Sequence, residues 1–303
     1  MNRRTLLAAS AGLVTHGQVR AAGVTRPVSG ADVTLEIEGM APDGFTERVW
    51  RWVEQSARAV EVYYGSFPVP AVYVHVILQG RAGIGGGQTF PGELPLIRMR
   101  LGPQTDDETL FTRDWVLVHE MVHLAFPWMD LRNNWMAEGL AVYVEPIARL
   151  QAGNLRRETV WGDFAEMMPR GQPGPGDRGF DVTINWGRTY WGGAIFCLLA
   201  DVRIHQQTEG RMGLRTALRA INARRDFRRY WDFRETLAIG DAATGTRVLT
   251  SQYEDMRLDA KPADLDALWA GLGVKVGDGT VAFDEGAPLA AIRRAIERPA
   301  PPT

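Results

Sequence analysis

The run His119-Glu120-Met121-Val122-His123 sets two imidazoles at i and i+4. On an α-helix that spacing puts both rings on one face, with Cβ atoms about 6 Å apart, so the pair can grip a single cation. A catalytic zinc takes three protein ligands and keeps a fourth position open, which leaves two histidines one ligand short. Glu138, in Trp135-Met136-Ala137-Glu138-Gly139, is the obvious third. Glu120 sits one step round the helix, beside the ion, where a carboxylate can take a proton. The expected metal ligands are therefore His119, His123 and Glu138, the expected ion is Zn2+, and Glu120 is the expected general base. The plainer alternative is two histidines decorating an amphipathic helix, but only five histidines occur in the chain and the downstream glutamate would then be coincidence. His16, His75 and His205 have no partner at ligand spacing.

These residues need two helices brought together. Thr105-Asp106-Asp107-Glu108 has the form of a capping box and predicts a start for the first, with Thr112 as a later alternative, and Pro127 predicts its end. Asn133 or Asn134 can cap the second, Gly139 would let it approach the first closely, and Pro146 is expected to bend or end it. Upstream, Val33 to Ile37 alternates like a strand, and Phe45 to Tyr64 carries Val49, Trp52, Val53, Ala57 and Val60 at helical spacing up to Gly65. Ala71 to Leu78 and Leu94 to Leu101 read as strands, the second half-exposed, with the glycine-rich stretch 80–88 between them. Downstream, 162–188 is rich in Gly, Pro and Asp and reads as a loop over the cleft. Tyr190 to Gln207, Gly213 to Ala223 and the stretch around Leu265 to Leu272 are helical by periodicity, Val274 to Phe283 reads as a hairpin, and Pro288 can open a last helix. The expected class is α+β: a mixed-sheet N-terminal lobe, a central metal-binding helix and a mostly helical C-terminal lobe.

With 303 residues, 45% apolar content and 23% charge, the chain can bury one large core or two lobes around a cleft. A net charge of −2 with scattered arginines offers no field for phosphate backbones, so nucleic acid is not an expected partner. Cys197 is the single cysteine and lies in an apolar run, which excludes an internal disulfide. Arg3-Arg4 precedes a mildly apolar run that ends at Val19-Arg20-Ala21, and residues 1–22 resemble a twin-arginine export signal. The expected division is that signal, a catalytic unit over 23–293 and a Pro-rich tail over 294–303, with no membrane span in the mature chain and a periplasmic or secreted location.

With these motifs in view, the chain resembles the gluzincin metallopeptidases, in particular the catalytic domains of the alanyl and glycyl aminopeptidase families. The run from Trp135 to Glu145 is similar to their third-ligand helix, and Tyr190-Trp191-Gly192-Gly193-Ala194 is similar to the segment whose tyrosine stabilises the reaction intermediate. The resemblance implies a thermolysin-like zinc peptidase acting on peptide or protein substrates, with Glu120 and Tyr190 as catalytic residues. It also implies departures. Fourteen residues separate His123 from Glu138, a trimmed connection, and Val142 cannot hydrogen-bond a ligating histidine. Gln88 stands where the aminopeptidases place the glutamate that holds the substrate's amino group, so strict aminopeptidase activity is not expected, although Glu93, Asp163 or Glu166 could restore the charge. Rival readings are a non-catalytic zinc-peptidase-fold binding or scaffold protein, and a hydrolase of some other amide or ester.

Overall fold

A computed structural model describes residues 23–224, 230–277 and 279–299. The export-signal reading of 1–22 lies outside the described residues. The N-terminal part is a five-stranded mixed sheet built from β1 (Val24–Val28), β2 (Ala31–Glu38), β3 (Ala71–Leu78), β4 (Ile84–Phe90) and β5 (Leu96–Leu101), in the order β1-β2-β3-β5-β4. β2, β3 and β5 run parallel, while β1 and β4 pair antiparallel at the two edges. Helix α1 (Phe45–Tyr64) makes the crossover from β2 to β3, and its five spaced apolar residues are all buried. Gly65 ends it with φ 84°, a left-handed conformation in which a Cβ would cost energy.

The glycine-rich stretch between the two expected strands is itself mostly strand, β4, which a run of glycines hides because it has no side-chain alternation. Its strand form comes from pairing with β5, in a register that shifts at Ile84/Gly86. Val74, Ile97 and Met99, on strands β3 and β5, belong to the same continuous core as Leu117, Met121 and Leu140 of the two metal-site helices.

The remainder is helical. Helix α2 (Val116–His123) is followed by α3 (Asn134–Gln151), α4 (Arg157–Met167), α5 (Gly193–Gln207), α6 (Leu214–Ala223), α7 (Phe233–Thr244), α8 (Val248–Met256) and α9 (Leu265–Leu272). The hairpin β6 (Val274–Gly277) and β7 (Thr280–Phe283) and helix α10 (Ala290–Glu297) complete it, α10 running past residue 294 where the sequence suggested a tail. The architecture is thus the expected α+β arrangement of a mixed sheet and a helical lobe. Among the described residues no helix is long and apolar enough to cross a membrane, and Cys197 is buried in α5.

Three local expectations are corrected. Thr105 does not cap the metal helix: its hydroxyl donates to Gly102 O and accepts from Gly83 N–H, tying 102–105 to the start of β4. Pro146 neither ends nor visibly limits α3, which continues to Gln151 because Tyr143, Val144, Ile147 and Ala148 are buried and Arg149 pairs with Glu145 at 2.7 Å. The stretch 162–188 is not all loop. α4 runs into it with Val160, Trp161 and Phe164 buried, and a short 3-10 turn over Met168–Gly171 follows. The rest is held down by backbone bonds from Gly179, Phe180 and Asp181 to residues 256–258, and by Phe180 stacked on Trp135 at 4.1 Å.

Candidate metal centre

α2 is short, and its N-terminus is held by Asp114. The Asp114 carboxylate accepts from Val116 N–H at 2.8 Å, from Leu117 N–H at 3.3 Å and from the Trp52 indole N–H of α1 at 2.8 Å. It thereby satisfies orphan donors of the first turn and bolts the metal helix to α1. Burial raises its pKa, against the pull of those donors. Nothing in the sequence reading singled Asp114 out, although an aspartate two residues before an apolar helical run is itself a capping signal.

One turn on, His119 and His123 leave the same face with ring centroids 4.9 Å apart. Both Nε2 atoms converge on one carboxylate oxygen of Glu138 from α3, at 3.3 Å and 3.7 Å. All three ligand atoms lie within 4.8 Å of one another, and among the described residues no other trio of such side chains converges this way. Ligands at zinc–nitrogen and zinc–oxygen distances sit about 3.3 Å apart around a tetrahedron, so the 3.3 Å and 3.7 Å separations from the Glu138 oxygen suit that ion. Burial would raise the pKa of Glu138, but attraction from His123 and His119 outweighs it and brings the carboxyl down to about 2. His123 is lowered, chiefly by burial. Both groups are thus in their ligating forms at neutral pH. Nδ1 of His119 is buried without a hydrogen-bond partner among the described residues.

Glu120 is buried against β4. Thr89 Oγ1 lies 2.7 Å from its Oε2 and 2.9 Å from its backbone oxygen. A Cβ on Gly87 would fall 2.6 Å from Glu120 Cγ, so only glycine lets the strand pass this close. Burial raises the Glu120 pKa, with attraction from His123 and the Thr89 bond pulling the other way.

Tyr190 comes from a π-helical turn, Gly187–Gly192, that leads into α5. Its ring lies parallel to that of His119 at 6.5 Å, and its hydroxyl is near enough to Glu138 to feel that carboxylate. Burial first, and then the charges of Glu138 and Glu120, raise its pKa, so it stays protonated. The crossing that puts it there is glycine on glycine. A Cβ on Gly139 would meet Gly193 Cα at 2.3 Å, and one on Gly193 would meet Trp135 O at 2.2 Å. Gly139 therefore serves the contact of α3 with α5, not the expected contact with α2. All five residues expected from the sequence, His119, Glu120, His123, Glu138 and Tyr190, are brought together. Asp114, Gly87 and Thr89 were missed.

No family model matches the chain, and no curated protein does. Solved structures do. An aminopeptidase N family protein from Idiomarina loihiensis superposes with TM-score 0.60 at 12% identity, over 84% of this chain and 49% of its own. The chain has the fold of the M1 zinc metallopeptidases. The M1 zinc metallopeptidase from Deinococcus radiodurans gives TM-score 0.50 at 15% identity over 79% of this chain and 52% of its own. A two-domain M1 zinc metallopeptidase bound to L-arginine gives 0.51 at 14% over 80% and 54%. The chain spans about half the length of the structures it resembles.

Proposed function

We propose that this chain is a zinc-dependent peptidase. The observation that carries the reading is the convergence of His119, His123 and Glu138 with a buried carboxylate, Glu120, beside them and a protonated phenol, Tyr190, above. A structural zinc site closes its coordination with four protein ligands, whereas three ligands and an adjacent base suit hydrolysis.

When bound, zinc supplies a Lewis acid that polarises a carbonyl and lowers the pKa of a water. The chain's own groups do the rest. Glu120 takes the proton of the attacking water and passes it to the leaving amine, and burial, by raising its pKa, makes it a better acceptor. Tyr190 donates its hydroxyl hydrogen to the oxygen on which negative charge develops. His119 and His123 hold their ligating geometry because α2 is pinned at Asp114 and packed against β4. Peptides as substrates draw support from the fold neighbours, one of which is bound to an amino acid.

The test is elemental analysis with kinetics. About one zinc per chain is expected, lost in His119→Ala and Glu138→Ala. Glu120→Gln should keep the metal and lose peptide hydrolysis by roughly three or more orders of magnitude. Unchanged turnover in Glu120→Gln would exclude the mechanism.

A further inference from the structure

β4 is the edge of the sheet, bonded to β5 on one side and to no strand on the other among the described residues. Its register sets Gly87 opposite Met99 and Thr89 opposite Ile97, both on the buried face of β5. Gln88 stands opposite Arg98, on the other face, and is exposed. What the strand turns toward Glu120 is therefore the bare Cα of Gly87 and the hydroxyl of Thr89. Gln88, which the resemblance singles out, thus lies off the face that meets Glu120, and Thr89, which does meet it, is uncharged.

The remaining acidic candidates are elsewhere. Glu93 is exposed in the turn between β4 and β5. Asp163 and Glu166 line a separate groove formed by α4, α9 and the β6–β7 hairpin. The carboxylates that act on His123 and Tyr190 are Glu120 and Glu138. In the proposed reaction both are already committed, one as base and one as metal ligand. A substrate ammonium drawn to the scissile bond would shed hydration, and none of these carboxylates is left free to replace it. An acylated nitrogen carries no such charge, and an extended chain can pair with the free edge of β4 through main-chain hydrogen bonds alone.

We infer that the site takes peptide bonds whose N-terminal side is acylated, internal to a chain or N-blocked, and does not read a free α-amino group. This rests on the peptidase reading above. The experiment offers the zinc-loaded full chain two peptides of one sequence, one with a free N-terminus and one acetylated, with each cleaved bond located by mass spectrometry. Values of kcat/KM within about threefold of each other, or higher for the acetylated peptide, are expected. Loss of roughly a hundredfold or more on acetylation, with cleavage of the first bond in the free peptide, overturns the inference and leaves the peptidase reading intact. If neither peptide is cut, the peptidase reading fails and the inference is decided by binding. Dissociation constants of the same two peptides, fluorescently labelled at the C-terminus, are measured on zinc-loaded Glu120→Gln by anisotropy. Equal constants uphold it; a preference of about tenfold for the free N-terminus, or no binding of either, overturns it.

Discussion

Thr89 carries one hydroxyl proton and has two acceptors on the same residue, the Glu120 carboxylate at 2.7 Å and the Glu120 backbone oxygen at 2.9 Å. With Glu120 ionised, the carboxylate is the stronger acceptor, and donation to it holds the base in one rotamer against the bare Cα of Gly87. Thr89 is thus a positioning residue for a catalytic one. Thr89→Val keeps the shape and removes the donor, so kcat should fall about 10- to 100-fold with KM and zinc content nearly unchanged. Thr89→Ser, which restores the hydroxyl, should recover most of the loss. Steady-state kinetics beside metal analysis decide the matter: equal damage in Ser and Val variants, or zinc lost from both, would mean that Thr89 only packs. The sequence hid this residue because a threonine in a glycine-rich run has no pattern around it, whereas His119, His123 and Glu138 announce themselves by chemical type and helical spacing.

At the level of elements, the catalytic geometry depends on how closely α3 crosses α5. Gly139→Ala puts a methyl 2.3 Å from Gly193 Cα, with backbone on the receiving side and no flexible side chain to yield. The helices must separate, and Tyr190 with them. The variant should lose about 1–3 kcal/mol of stability, the range for overpacking. It should also lose activity beyond that loss, because Tyr190 moves off His119 while the zinc ligands on α2 and α3 stay together. Denaturant unfolding measures the first and kinetics on the folded fraction the second; a stable variant of full activity would sink the account. Helix α1 and strand β3 were legible to their end residues, since twenty residues of helical spacing and eight of β-branched composition each fit one template. The start of α2 was not. Thr105-Asp106-Asp107-Glu108 satisfies a capping pattern in sequence, yet Asp106 caps only the π-helical turn Thr109–Arg113 through Thr109 N–H, and Asp114 begins the real helix. Two capping signals a few residues apart cannot be ranked without knowing which one has Trp52 beside it.

Across the whole molecule, the candidate centre sits where the sheet side meets the helical lobe: α2 leans on the sheet and α1, and α3 leans on α1 and on α5 of the helical lobe. This division was readable because the sheet residues precede His119 in sequence and the helical ones follow it. The long-range anchors were not, among them Gln151 to Ile296 O and the Trp161 indole to Glu297, because they join residues far apart in the chain. An ion held by one ligand pair on α2 and a third ligand on α3 should stabilise the fold as a unit, by about 2.7 kcal/mol at a free zinc concentration a hundredfold above its dissociation constant. Ligands bind in their deprotonated forms, so protons compete with the metal. Glu138, held at about 2, stays ionised through the whole carboxylate range and sets no limit. His123, lowered by burial from its ordinary 6.5, stays neutral down to that pH and below. The sign follows: zinc stabilisation is present at neutral pH and is lost as pH falls below 6.5, through the histidine range, with no separate step at the ordinary glutamate value of 4.5. Melting temperatures with zinc and with a chelator, taken across this range, should differ by a constant amount at neutral pH and converge once His123 is protonated. A gap that closes above neutral pH, or one that survives unchanged through the histidine range and closes only with the carboxylates, would show that the ion is held by other groups.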